Sequence, residues 1–107
     1  MSLKDQKIEE RLKHLAAEFL LRESNRQSLV TVTGIELYER RSKARILITV
    51  FPEEKQEAAL EFARRKRSEF RDFIKEHARM QRLPSVDFAI DFGEKNRQRI
   101  DEISNTQ

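Results

Sequence analysis

The stretch SLVTVTGIELYERRSKARILITVFPEE, residues 28–54, decides the fold. Its first eleven residues are rich in β-branched side chains and alternate, with Val30 and Val32 on one face. Past Gly34 the apolar residues are Ile35 and Leu37, so the phase slips by one. A glycine at such a slip predicts a β-bulge. The polar run Glu39-Arg40-Arg41-Ser42-Lys43 reads as a turn. ARILITVF, residues 44–51, then alternates again, with Ala44, Ile46, Ile48 and Val50 on one side. Two alternating runs joined by a short polar turn predict a hairpin. Pro52-Glu53-Glu54 ends it and opens a helix, since proline suits the first helical position and acids suit the positive end of the helix dipole.

Outward from the hairpin, the pattern changes period. Residues 3–23 place Ile8, Leu12, Leu15, Ala16, Phe19 and Leu20 on one face, at the spacing of an amphipathic helix. Ser2 with Asp5 resembles a capping box, and residues 23–27 read as a linker. After Pro52 a helical pattern runs through Leu60, Ala63, Phe70, Phe73, Ile74, His77 and Ala78 until Pro84 stops it. SVDFAIDF, residues 85–92, alternates, with Val86, Phe88, Ile90 and Phe92 on one face. Gly93 closes that strand. Three strands with one apolar face need helices packed on it. The fold class is α+β in two layers. Residues 1–93 form the domain, and residues 94–107 a weakly helical or disordered tail anchored only by Ile100 and Ile103.

Composition narrows the function. The 107 residues suit one domain. There is no Cys, which excludes disulfides, thiolate metal sites and Cys nucleophiles. No apolar run approaches the roughly 18 residues of a membrane span, and no signal-peptide block opens the chain, so a cytoplasmic monomer without a membrane partner is expected. Two glycines leave no room for a Gly-rich phosphate loop. His14 and His77 have no ligand-spaced companions, and no cofactor or metal is expected. His14 reads as solvated and His77 as half-buried. Asp87 and Asp91 share the polar face of the last strand. They could serve a metal-dependent enzyme, or be the wet side of an antiparallel strand. No nucleophile and base pair stands out, so the chain reads as no enzyme.

The charge is uneven. The net value is +3, yet residues 64–82 hold eight basic and three acidic side chains. On a continuous helix with Phe70 at 0°, Arg71, Lys75, Arg79 and Arg82 fall at about 100°, 140°, 180° and 120°. Arg64 and Arg67 join this row if the helix runs back unbroken. Cations spaced one turn apart suit a row of phosphates, although charge runs are also ordinary solvated faces. Arg40, Arg41, Lys43 and Arg45 form a second cluster in and beside the turn. The phenylalanines sit on apolar faces except Phe62, which lies off the stripe, and Phe51, whose side is ambiguous. Stacking of splayed bases on a Phe/Tyr platform is therefore not expected, and recognition would be mainly by phosphate and shape.

LVTVTGIEL (29–37), ARILITVF (44–51), FRDFIKEHARMQRLPSVDFAID (70–91) and NRQRIDEI (96–103) resemble, in this order, the motifs of the ribosome-binding factor A family. The resemblance implies a type II KH-like domain of order α-β-β-α-α-β, with a three-stranded sheet and helices on one face. It implies a non-enzymatic assembly factor that binds the small ribosomal subunit and its ribosomal RNA during maturation and rRNA processing. The family carries a helix-kink-helix with Ala-x-Gly, where this chain has Lys66-Arg67-Ser68. Ser68 suits an N-cap and Glu69 a first turn, so a kink is expected near Ser68, within Lys66-Arg67-Ser68. One unbroken helix over about 53–81 is the alternative. The expected RNA contacts are Arg64, Arg65, Lys66, Arg67, Arg71, Lys75, Arg79 and Arg82, with Arg40, Arg41 and Lys43 as a second anchor. The rival functions are a protein–protein module that docks its basic helix face on an acidic partner, and a KH-like RNA binder unrelated to ribosome assembly.

Overall fold

The two alternating runs pair as an antiparallel hairpin in the computed structural model, which describes residues 3–23, 27–80 and 82–93. Strand β1 is Leu29–Tyr38 and β2 is Lys43–Phe51. Their register runs from Leu29 opposite Phe51 to Tyr38 opposite Lys43, and it shifts between Val32 and Gly34. The bulge lies where the hydrophobic phase slips. It keeps Val30 and Val32 on the same face as Ile35 and Leu37, against one partly or fully buried row.

Strand β3, Ser85–Ile90, lies parallel to β2, so β2 is central in the order β1-β2-β3. A parallel neighbour needs a long crossover. Helices α2 (Gln56–Arg65) and α3 (Arg67–His77) supply it. A 3-10 turn, Glu53–Lys55, precedes α2, and Pro52 stands before that turn with an extended ψ of 157° rather than inside the first helical turn. Helix α1, Leu3–Glu23, buries Leu12, Leu15, Ala16, Phe19 and Leu20, with Asp5 in its first turn and Arg22 in its last. Each of those charges opposes the nearer end of the helix dipole. Ser2, residues 24–26 and the tail with Ile100 and Ile103 lie outside the described residues. The element order, the three-stranded mixed sheet and the helices on a single face are those of a type II KH-like α+β domain.

The core sits between that sheet face and the helices. Ala44, Ile46 and Ile48 of β2 and Phe88 of β3 meet Leu12, Leu15, Phe19, Ala63, Phe70 and Ile74. Phe70 is fully buried, with its ring centroid 5.1 Å from Phe19 and 5.8 Å from Phe88. The last strand stops one pair short of its apolar pattern. The Asp91 N–H donates to the Ile48 carbonyl at 2.7 Å. The Asp91 carboxylate then accepts the Gly93 N–H at 2.9 Å and the Thr33 hydroxyl at 2.6 Å. This local turn ends the pairing, so Phe92 is 62% exposed and not in the core row.

Phe70→Ala should cost about 3–5 kcal/mol, as for other buried phenylalanines. Urea unfolding of the variant checks this, and a loss under about 1 kcal/mol would show that the ring does not join α1, α3 and β3.

Candidate nucleic-acid interface

The crossover helix breaks near Ser68, as expected, and the residue at the break is Lys66. Lys66 has φ −93° and ψ 6° and separates α2 from α3. Its N–H donates to the carbonyls of Phe62 at 3.2 Å and Ala63 at 3.1 Å, which tightens the last turn of α2. Its own carbonyl accepts the Phe70 N–H at 2.9 Å, which starts α3. Ser68 is the second residue of α3, and no side chain caps the break. These dihedrals lie in the bridge region, which does not require glycine, so the family's small residue is dispensable here. The Lys66 ammonium spans the break, 3.3 Å from the Glu69 carboxylate and 5.8 Å from the Phe62 ring centre.

Two arginines from either side of the break converge on one carboxylate. Arg64 Nε lies 3.4 Å and Arg67 Nη1 3.2 Å from Asp87 Oδ1 on β3. The same oxygen accepts the Phe88 N–H at 2.8 Å, and Arg67 Nε donates to the Arg64 carbonyl at 3.0 Å. All three side chains keep 42–50% of their surface, so each pair contributes about 1 kcal/mol at most. Asp87 is therefore an arginine clamp, a role that its place on an alternating strand does not reveal. The register adds the one related sign, since it sets Asp87 directly opposite Arg45. Asp91 holds the strand end instead, and among the described residues no group of three His, Asp or Glu side chains could hold a metal ion.

The basic row is shorter than the continuous wheel implies. Helix α3 ends at His77, and Ala78 is extended at φ −139° and ψ 141°. Arg11 of α1 donates to the His77 carbonyl at 2.6 Å, which caps the helix from outside. Beyond it Ala78, Met80 and Leu83 pack against the core. Arg79 and Arg82 are exposed on this non-helical segment and do not share a helix stripe with Arg71 and Lys75. His77 is exposed rather than half-buried, its ring stacked on Phe73 at 4.1 Å between centroids. His14 is exposed, as expected.

The hairpin turn carries the second cluster in a costly conformation. Glu39, Arg40 and Arg41 have φ values of 50°, 55° and 67°, a left-handed run that non-glycine residues resist. Ser42 steadies it by donating its N–H and hydroxyl to the Glu39 carbonyl at 3.1 and 2.6 Å. Arg41 pairs with Asp5 of α1 at 3.3 Å and Lys43 with Glu39 at 3.4 Å. Arg45 pairs with Glu36 at 3.2 Å and lies 5.1 Å from the Tyr38 ring centre.

Strand pairing brings Arg64, Arg67 and Arg82 of the first cluster to the sheet end that holds the second. Lys43 is in register with Ser85, and the Ser85 N–H donates to the Ser42 carbonyl at 2.8 Å. The segment holding Arg82 thus enters β3 beside the turn. Asp87, with Arg64 and Arg67, lies two residues further on, about 7 Å along the strand. Of the eleven cations expected to contact RNA, five are paired: Arg64, Lys66, Arg67, Arg41 and Lys43. Arg40, Arg65, Arg71, Lys75, Arg79 and Arg82 form no ion pair among the described residues.

This architecture and sequence have relatives. The chain resembles the crystal structure of ribosome-binding factor A from Thermus thermophilus, with a TM-score of 0.71 and 27% identity over 79% of this chain and 92% of that one. A Thermotoga maritima protein solved by NMR in solution, assigned by its description as a candidate ribosome binding factor A, gives a TM-score of 0.66 and 25% identity, covering 83% of this chain and 89% of that one. A homology model of the Thermus thermophilus ribosome binding factor A, fitted into a cryo-EM map of a 30S complex, gives a TM-score of 0.66 and 27% identity, covering 76% and 88%. No curated protein matches in sequence. The family model described as ribosome-binding factor A matches residues 4–104, nearly the whole length, and the chain therefore belongs to that family.

Proposed function

We propose that this protein binds the small ribosomal subunit through its ribosomal RNA and assists subunit maturation and rRNA processing as a cytoplasmic, non-enzymatic factor. The observation that carries the reading is the meeting of two sequence-distant basic clusters at one sheet end, with six cations free of carboxylates among the described residues. Unpaired cations are the ones available to displace counterions from phosphates. The 30S complex formed by a relative of the same fold points to the same partner. In this reading residues 1–93 are the RNA-binding unit. Arg40, Arg65, Arg71, Lys75, Arg79 and Arg82 make the first phosphate contacts. The paired cations join by exchanging carboxylates for phosphates.

Co-sedimentation with small subunits, large subunits and whole ribosomes tests the partner. Preference for free small subunits, with affinity falling steeply as salt rises, supports RNA contact. Binding to an acidic protein with no detectable binding to small subunits or ribosomal RNA at low salt instead favours the rival module. Arg71→Glu with Lys75→Glu should lower small-subunit affinity by about tenfold or more and flatten the slope of log K against log salt by about 1.5–2. An unchanged slope would assign these two side chains to a solvated face.

Asp87→Asn should act in the opposite sense. It frees Arg64 and Arg67, so subunit affinity should rise and its salt dependence steepen. Stability should change by no more than about 2 kcal/mol, the upper bound for two exposed pairs. Affinity equal to wild type would place both arginines away from the RNA.

A further inference from the structure

A cleft of about 180 Å³ lies between the start of β1 and the flank of α2. Its apolar wall is Val30, Ala58, Ala59 and Phe62. Phe62 is the aromatic residue that falls off the apolar stripe, which is why its ring lines an open cleft rather than the core. Lys55 and Arg65 also line the cleft, ten residues and so about 15 Å apart along the helix. Neither forms an ion pair among the described residues.

We infer that this cleft receives one unpaired nucleotide of RNA, its base against Phe62, with phosphates of the strand on either side of that nucleotide reaching Lys55 and Arg65. The proposal rests on the RNA-binding reading above and deepens it. Size limits the occupant, because a cleft well below the usual volume of about 300–1,000 Å³ for ligand pockets takes a single ring system. Chemistry selects a nucleotide. An aromatic ring stacks on any base, and free cations on either side suit a backbone charged at every residue. An apolar side chain between two acids in a peptide would use the same groups. The nucleotide is favoured by continuity: Arg65 is followed directly by Lys66 and Arg67 at the break, where phosphate contact is already proposed. Lys66 also places its ammonium over the Phe62 ring, which adds a cation beside the stacking surface. A base held in a helix is not available to the cleft, so the site discriminates single-stranded from duplex RNA.

The test uses the full chain and two variants, Ala58→Leu, which fills the cleft from an exposed helix position, and Phe62→Leu, which removes the ring but keeps apolar bulk. Thermal unfolding confirms that each variant folds. Fluorescence anisotropy then compares a single-stranded oligoribonucleotide with a duplex of the same sequence at fixed salt. Both variants should bind the single strand about tenfold more weakly, the order of one base–aromatic stack, and bind the duplex as wild type does. The cleft proposal is overturned if the variants stay within about twofold of wild type on the single strand, well short of one stack, or if an acidic apolar peptide binds the cleft and the oligonucleotide does not. Either result leaves small-subunit binding by the wild-type protein intact. Failure of the wild-type protein to co-sediment with small subunits overturns the ribosomal reading separately.

Discussion

Phe70 makes the contact on which the arrangement of helices depends. Its ring has no exposed surface and lies against Phe19 of α1 and Phe88 of β3. Its N–H is bonded to the carbonyl of Lys66, the residue at the break. One residue therefore fixes where α3 begins, which face it buries and how far it stands from the sheet. Phe73 extends the seam, 5.6 Å from Phe19, and carries the stacked His77 at the helix end. With α3 held in this way, Arg67 reaches Asp87 from one side of the break while Arg64 reaches it from the other. The clamp is a consequence of the aromatic packing, since exposed ion pairs of this kind are too weak to set a helix direction.

The same packing explains why the break was only partly legible. Ala63 and Phe70 are seven residues apart, so they fall on the same face of a continuous helix, about 20° apart. A single bridge-region residue between them leaves the apolar spacing without a visible skip. Serine favours N-caps, which marks the neighbourhood of Ser68, and the hydrogen bonds made by the Lys66 N–H and C=O put the break at Lys66. The strands were easier. Period-two alternation identifies a half-buried strand directly, and the phase slip at Gly34 marked the bulge. The end of α3 was hidden because Ala78 lies at helical spacing from Ile74, while Ala78 and Met80 also suit an extended chain. A guanidinium from α1, far away in sequence, decides between them at the His77 carbonyl.

Charge was legible as a count but not as a field. The basic excess of residues 64–82 is real, yet Arg64, Arg67 and Lys66 have carboxylates within reach. Asp87 supplies two of those contacts from a strand whose polar face gave no sign of them. At half-exposed positions the pairs are weak enough to exchange for phosphates, so they orient the guanidiniums more than they neutralise them. This separates the cations into an oriented group at the break and an unpaired group around it.

Topology, rather than any one contact, explains why clusters so far apart in sequence meet. Strand β2 starts at the hairpin turn, and β3 runs parallel to it, so β3 must start at that same end of the sheet. The crossover leaves β2 at the far end through α2, turns at Lys66, and must return through residues 78–84 to the turn. Any cation on that returning segment is carried towards Arg40 and Arg41. An antiparallel β3 would deliver Arg79 and Arg82 to the opposite end and divide the charge. The parallel pairing therefore concentrates one basic pole from two separate stretches of sequence, while the first turns of α2 and the cleft beside Phe62 extend from it towards the other end of the domain.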